Sequence, residues 1–228
     1  MRPSQGLDGS SILPTRTMDK LNLIENKARQ FFEGENGCHD WDHTVRVLNL
    51  CRHIGEIEKA NIEILALSAM LHDIGRPEQA KTKVCHAEIG AKLSQNLLGE
   101  AGYNQNTIDQ VSQSILTHRF RDNRAPQSLE AKILYDSDKL DSIGAVGLGR
   151  AFLYAGEHGA KLHNGKDVNI ETTIEHSSED TAYREYMHKL RYIKDKLFTT
   201  EAKRIAMERH KFMELFFDRL GQEVDGKI

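Results

Sequence analysis

Helical periodicity runs through almost the whole of this 228-residue chain, and no other feature narrows the fold as much. From Met18 onward apolar residues recur three and four positions apart, as in Val45, Leu48 and Cys51, or Val47, Leu50, Ile54 and Ile57 after Trp41. Such spacing returns side chains to one face of a helix, whereas a half-buried strand needs strict alternation, which is almost missing here. The expected fold class is all-α. Beyond the helix after Trp41, further helices are expected at about 19–32, 61–74, 85–98, 106–120, 128–142, 146–157, 178–198 and 200–220. Their stops are read at Gly34, Gly75-Arg76-Pro77, Gly99, Pro126 and Gly221, since glycine readily closes a helix and proline cannot continue one.

The last two helices carry the stripes Tyr183, Tyr186, Leu190, Ile193, Leu197 and Ala202, Ile205, Arg209, Phe212, Phe216, Leu220. Only about two residues separate them, so they are expected to pair as a C-terminal helical hairpin. Arg121 to Gln127 and His158 to Ser177 lack the pattern and read as loops. Residues 1–17, rich in Ser, Gly, Pro and Thr, read as a flexible leader, and 18–228 as a single domain. No internal repeat is visible.

Composition excludes several function classes. With 39% hydrophobic and 29% charged residues and only four prolines, the chain is that of an ordinary folded protein. Lys plus Arg number 31 against 34 for Asp plus Glu, a net charge of −3, so no bulk basic field draws the protein onto nucleic acid or an anionic membrane. An anionic substrate must then be held by a local site. The strongly apolar run Ile64 to Leu71 is far short of the about 20 residues that cross a bilayer. The N-terminus has no apolar signal-peptide centre, and Cys38, Cys51 and Cys85 are irregularly spaced. Reduced thiols in a cytoplasmic protein are the expectation.

The sharpest functional signal is that titratable side chains stand where apolar stripes should continue inward. Val47, Leu50, Ile54 and Ile57 extend back to His43, and Ile64 with Ser68 extends forward to His72. Ala131 and Leu134 run on to Asp138 and Asp141, while Ile108, Val111 and Ile115 run on to His118. Burying an imidazole or carboxylate is costly unless it is paired or metal-bound, so four repetitions point to a common interior site. His72-Asp73 closes a helix just before the Gly75–Pro77 break, where a frayed end lets two adjacent side chains turn toward one ion.

In this order, His43 in DWDHTVRV, the doublet in LHDIG at 72–73 and the aspartate in YDSDKLD resemble the HD-domain superfamily of metal-dependent phosphohydrolases. The likeness covers about residues 19 to 224, and YDSDKLDSIGAVGLGRAF and HKLRYIKDKLFTTEAKRIAMERHKFMELFF resemble a subgroup of small bacterial single-domain HD hydrolases. The resemblance implies a compact helical bundle with a metal held by His43, His72, Asp73 and Asp138. Asp138 is preferred to Asp136 and Asp141 because the family ligand directly precedes a basic residue and Leu, here Lys139-Leu140, with Asp141 as the alternative.

Two imidazoles and two carboxylates suit one divalent transition ion, Mn²⁺ first, with Fe²⁺, Co²⁺, Ni²⁺ or Zn²⁺ also accommodated. An ion so held lowers the pKa of bound water and polarises a phosphoryl group, and Asp73 is the candidate base. His86 and His118 are read as phosphate contacts rather than ligands of a second metal, and Arg76 as a cation steadying the transferred group. Lys139, Arg150, Lys189 and Arg209 are candidate substrate contacts; His39 is left outside the ligand set. The subgroup resemblance implies a small phosphorylated substrate, a nucleotide cleaved in the manner of a nucleotide pyrophosphohydrolase. A nucleotide phosphodiesterase and a non-catalytic metal or nucleotide sensor are the alternatives, and assembly as a homodimer stays open.

Overall fold

A computed structural model of the chain describes residues 15–34, 40–120 and 124–228. Cys38, His39, the start of the loop at Arg121 and most of the 1–17 leader lie outside the described residues. The described chain is helical, with no strand among the described residues. Helix α1 spans Thr15–Arg29, ending in a short 3₁₀ turn, and α2 follows at Trp41–Glu58. After them come α3 (Ile62–Leu71), α4 (Arg76–Thr82), α5 (His86–Glu100), α6 (Gln105–Thr117) and α7 (Leu129–Leu140). The C-terminal part holds α8 (Gly144–Glu157), α9 (Ala182–His188), a 3₁₀ segment (Leu190–Asp195) and α10 (Thr200–Val224).

Helix α3 is the centre of the bundle. Every residue from Ile64 to Leu71 is buried, as expected of a helix that is apolar on all sides. It packs on α1, α2, α6 and α7, while α5 lies along α6 and α10 closes the other side against α8, α7 and α2. The run that was too short to span a bilayer is therefore core, and no described helix is long and apolar enough to cross a membrane.

The helix starts follow side-chain caps. Asp40 accepts from the His43 amide at 3.0 Å, Asn104 from Thr107 at 3.0 Å and Ser128 from Ala131 at 3.1 Å, which satisfies first-turn N–H groups that have no partner within the helix.

Several expectations need correction. Gly75-Arg76-Pro77 does not simply stop a helix: Gly75 precedes α4, and Pro77 sits in its first turn, where the missing N–H costs nothing. The helix expected over 178–198 is divided at Lys189 into α9 and the 3₁₀ segment, so the first arm of the C-terminal hairpin is broken. Helix α10 runs through Gly221 to Val224. Ile57 and Phe212 face solvent, and the inward line of α10 passes instead through Ala206, Met213 and Phe217. On α5 the buried line is His86, Gly90, Ser94 and Leu98, while Ile89, Leu93 and Leu97 are only partly buried. Gly90 stands in that line where α5 passes the end of α3; a Cβ on it would lie 3.4 Å from the His72 carbonyl oxygen.

Candidate metal centre

The polar interior is built almost entirely from helix ends. His43 lies in the first turn of α2, His72 caps the C-terminus of α3, and His86 opens α5. His118 caps the C-terminus of α6 and Asp141 that of α7, with Asp138 in the last turn of α7. His43, His72, Asp73, His86, His118 and Asp141 are all buried. Gly75 permits the convergence of α5 on the doublet: a Cβ there would stand 2.3 Å from the His86 carbonyl oxygen and 2.8 Å from the Gly90 nitrogen. Both obstacles are backbone, so only glycine fits.

Asp73 stands at the centre, with one oxygen facing each of two histidine pairs. Its Oδ2 is 3.7 Å from His43 Nε2 and 3.5 Å from His72 Nε2. Its Oδ1 is 3.2 Å from His86 Nε2 and 3.8 Å from His118 Nε2. The Nε2 atoms within each pair are 3.3 Å apart. Asp138 adds Oδ1 at 3.5 Å from His43 Nε2, and Lys139 Nζ donates to Asp138 Oδ2 at 2.9 Å. Arg76 Nε donates to Asp73 Oδ2.

Each imidazole is anchored through Nδ1. His43 Nδ1 donates to Asp141 Oδ2 at 2.7 Å, His72 Nδ1 to the Ala69 carbonyl at 2.8 Å and His118 Nδ1 to the Ile115 carbonyl at 2.6 Å. His86 Nδ1 donates at 2.8 Å to Gln79 Oε1, which also accepts from the His86 amide. A neutral ring that donates from Nδ1 turns a lone pair inward at Nε2. Burial lowers the pKa of His72 and His86 and takes that of His118 down to about 3, so these three are neutral at pH 7. Two lone pairs 3.3 Å apart beside a carboxylate repel each other unless a cation lies between them. The donor set therefore fits a divalent ion, and two three-residue groups meet at Asp73: His43, His72 and Asp73, and Asp73, His86 and His118.

The remaining charges follow from the same packing. For His43, burial acts to lower the pKa, but Asp138 and Asp141 outweigh it and the value is raised. Burial acts to raise Asp138, yet Lys139 and His43 hold it well below the usual carboxylate range.

The other two aspartates of YDSDKLD serve different purposes. Asp136 is turned toward α10, accepting from the Phe198 amide at 2.9 Å, the Thr199 amide at 2.8 Å and the Thr199 hydroxyl at 2.7 Å. Asp141 lies behind His43 rather than beside its Nε2, bound to Arg46 Nε at 2.7 Å and Arg150 Nη1 at 2.5 Å.

The candidate substrate cations are spread more widely. Arg76 and Lys139 are part-exposed beside Asp73 and Asp138. Arg150 links Asp141 to a cleft of about 340 Å³ between α8 and α9, whose lining also includes Lys189, itself paired with Glu185. Arg209 donates to the Leu140 carbonyl at 2.6 Å, fixing α10 to the end of α7. Gln79 and Arg46 escaped sequence reasoning. Gln79 belongs to the unrecognised α4, whereas Arg46, one helical turn after His43, was detectable as a cation on the same face.

Comparison with known proteins shows the family. Residues 40–143, which contain every residue of the cluster, match the HD domain family. The chain is 34% identical to YpgQ of Bacillus subtilis (strain 168) over 218 residues, covering 92% of this chain and 97% of that protein. The crystal structure of YpgQ in complex with ADP matches with a TM-score of 0.71 at 28% identity, over 92% of this chain and 97% of that one. An HD superfamily hydrolase from an uncultured Thermotogales bacterium matches with a TM-score of 0.66 at 30% identity, over 89% and 92%. An HD-superfamily hydrolase from Bacillus thuringiensis gives 0.73 at 25% identity, over 92% and 98%. With four imidazoles and two carboxylates converging from five helices within the matched region, these likenesses identify the chain as a member of the HD-domain superfamily of metal-dependent phosphohydrolases.

Proposed function

We propose that the protein hydrolyses a phosphate anhydride bond of a nucleotide, in the manner of a nucleotide pyrophosphohydrolase, with a divalent transition ion held by His43, His72, Asp73 and Asp138. The observation that carries this reading is the inward set of Nε2 and carboxylate oxygens around Asp73, whose outward atoms are already engaged. Mn²⁺ is the preferred ion, with Fe²⁺, Co²⁺, Ni²⁺ and Zn²⁺ compatible with the same mixed donors. When bound, the ion supplies Lewis acidity toward a phosphoryl oxygen and a more acidic water.

The chain's own residues do the rest. Asp73 is the base that receives a proton from the attacking water, while Arg76 and Lys139 lend positive charge at the part-exposed mouth beside it. Arg150, Lys189 and Arg209 are proposed substrate contacts, Arg150 and Lys189 through the cleft that they line. Nucleotide choice is supported by YpgQ having been crystallised with ADP. A phosphodiesterase and a non-catalytic sensor are the competing activities.

A second reading concerns His86 and His118. With Nδ1 of each engaged as a donor, a neutral ring offers phosphate no N–H at Nε2, whereas the 3.3 Å separation and Asp73 Oδ1 repeat the features of the first group. That observation favours a second ion, which Asp73, His86 and His118 would hold, over direct phosphate contact. Metal analysis of His118→Ala separates the two: loss of about half the bound metal supports two ions, and full retention supports a contact role.

The reaction is tested by incubating Mn²⁺-loaded protein with a panel of nucleoside mono-, di- and triphosphates and cyclic nucleotides, reading phosphate and pyrophosphate separately. Pyrophosphate release from triphosphates is expected. Turnover confined to cyclic nucleotides would establish the phosphodiesterase instead, and binding without turnover would establish a sensor.

A further inference from the structure

Behind His43, at its Nδ1, lies an ionic cluster centred on Asp141, a residue to which the proposed reaction gives no role. Asp141 closes the C-terminus of α7 and is 1% exposed. Its Oδ2 accepts from His43 Nδ1 at 2.7 Å and Arg150 Nη1 at 2.5 Å, and its Oδ1 accepts from Arg46 Nε at 2.7 Å. A second Arg46 contact, from Nη2 to Oδ2, is 3.1 Å. The three donors come from α2 and α8, so the carboxylate joins three helices at one point.

We propose that Asp141 is a positioning residue that sets His43 as a metal ligand: it fixes the ring's rotation and the Nδ1–H tautomer, so that the Nε2 lone pair is delivered toward Asp73 and Asp138. This rests on the reading of His43 as a ligand. The geometry separates the tasks. Asp138 Oδ1 approaches Nε2 of the ring, while Asp141 approaches only Nδ1. A carboxylate acceptor on the far nitrogen also makes the ring a stronger donor to a metal, more so than the main-chain carbonyl that anchors His72. Arg46 and Arg150 satisfy the lone pairs His43 leaves open and prevent the carboxylate from turning. A buried ion pair of this kind is weak evidence for stability alone, but two guanidinium groups holding one acceptor in register against one imidazole are suited to orientation.

The test uses Zn²⁺ alone as the probe, titrated into metal-stripped full-length protein whose folding is followed by circular dichroism. Asp141→Asn keeps the shape and an acceptor oxygen but removes the charge, and Zn²⁺ affinity is expected to fall about 10- to 100-fold with the helical signal retained. In ¹⁵N-histidine spectra of the Zn²⁺-loaded variant, the slowly exchanging Nδ1–H signal of His43 should weaken or shift, while that of His72 stays in place. Two arginines left without their carboxylate could unfold the variant for reasons unrelated to His43. The triple variant Arg46→Met, Asp141→Asn, Arg150→Met removes those cations and should show the same loss of affinity. Wild-type Zn²⁺ affinity in a folded Asp141→Asn or triple variant, or an unaltered His43 Nδ1–H signal, would overturn the assignment. Failure of Zn²⁺ to bind the wild-type protein at all would overturn the metal-centre reading instead.

Discussion

Asp136 and Asp138 stand two residues apart in one helix, and only a substitution at Asp136 separates a structural carboxylate from a metal-facing one. Asp136 is fully buried and accepts three hydrogen bonds from Phe198 and Thr199 at the entry to α10. Asp136→Ala leaves two main-chain N–H groups without an acceptor, each costing about 1–3 kcal/mol when no water reaches it. Phe198 is only half-buried, so water can satisfy part of its loss, whereas Thr199 is buried. Against this, the native carboxylate carries its own burial penalty, visible as a raised pKa. The net loss is expected to be about 2–4 kcal/mol, on the order of 4–16 °C in Tm at about 2–4 °C per kcal/mol for a chain of this size. Urea denaturation of metal-stripped protein measures the stability, and calorimetric titration with Mn²⁺ measures the affinity, which should stay within about twofold of wild type. A variant of wild-type stability that no longer binds Mn²⁺ would refute the reasoning, because Asp136 would then be the ligand.

Three further outcomes follow from the same contacts. Gly75→Ala drives a Cβ into the His86 carbonyl; it should cost about 1–3 kcal/mol by overpacking and lower turnover by shifting His86 from Asp73, as read by melting and activity assays. Asp73→Asn, assayed at saturating Mn²⁺, should remain folded yet lose at least about 100-fold in kcat, since excess metal restores occupancy but not the base; full activity would place the proton acceptor elsewhere. Metal ligation needs a neutral ring, and His43 carries a proton below its raised pKa. Mn²⁺ affinity should therefore fall as pH drops through that value and level off above it, with proton release on binding detected by calorimetry in buffers of different ionisation enthalpy.

The architecture was legible because periodicity reports burial directly: the stripes ending at His43, His72, His118 and Asp138 all lead to the same interior. Legibility failed where a contact depends on what approaches from elsewhere. Helix α4 is short, and the proline in its first turn reads equally well as a stop. The buried face of α5 includes Gly90 and Ser94, which carry no hydrophobic signal and are buried because α6 lies along the helix and the end of α3 comes close to Gly90. The resemblance preferred Asp138 to Asp136 and Asp141, but what each of the three faces was not visible in the sequence. Their positions on α7 point them at α10, the Nε2 side of His43 and the Nδ1 side of His43 respectively, a distinction that requires the neighbouring helices to be in place.

The central claim is that buried imidazole and carboxylate groups around Asp73 hold a catalytic divalent ion. Its most direct test is elemental analysis of metal-stripped protein reloaded with Mn²⁺ and desalted, comparing wild type with His72→Ala. Wild type should retain at least about one equivalent per chain, and His72→Ala, still folded, should retain far less. A folded wild-type protein that retains no Mn²⁺, Fe²⁺, Co²⁺, Ni²⁺ or Zn²⁺ after reloading would contradict the account.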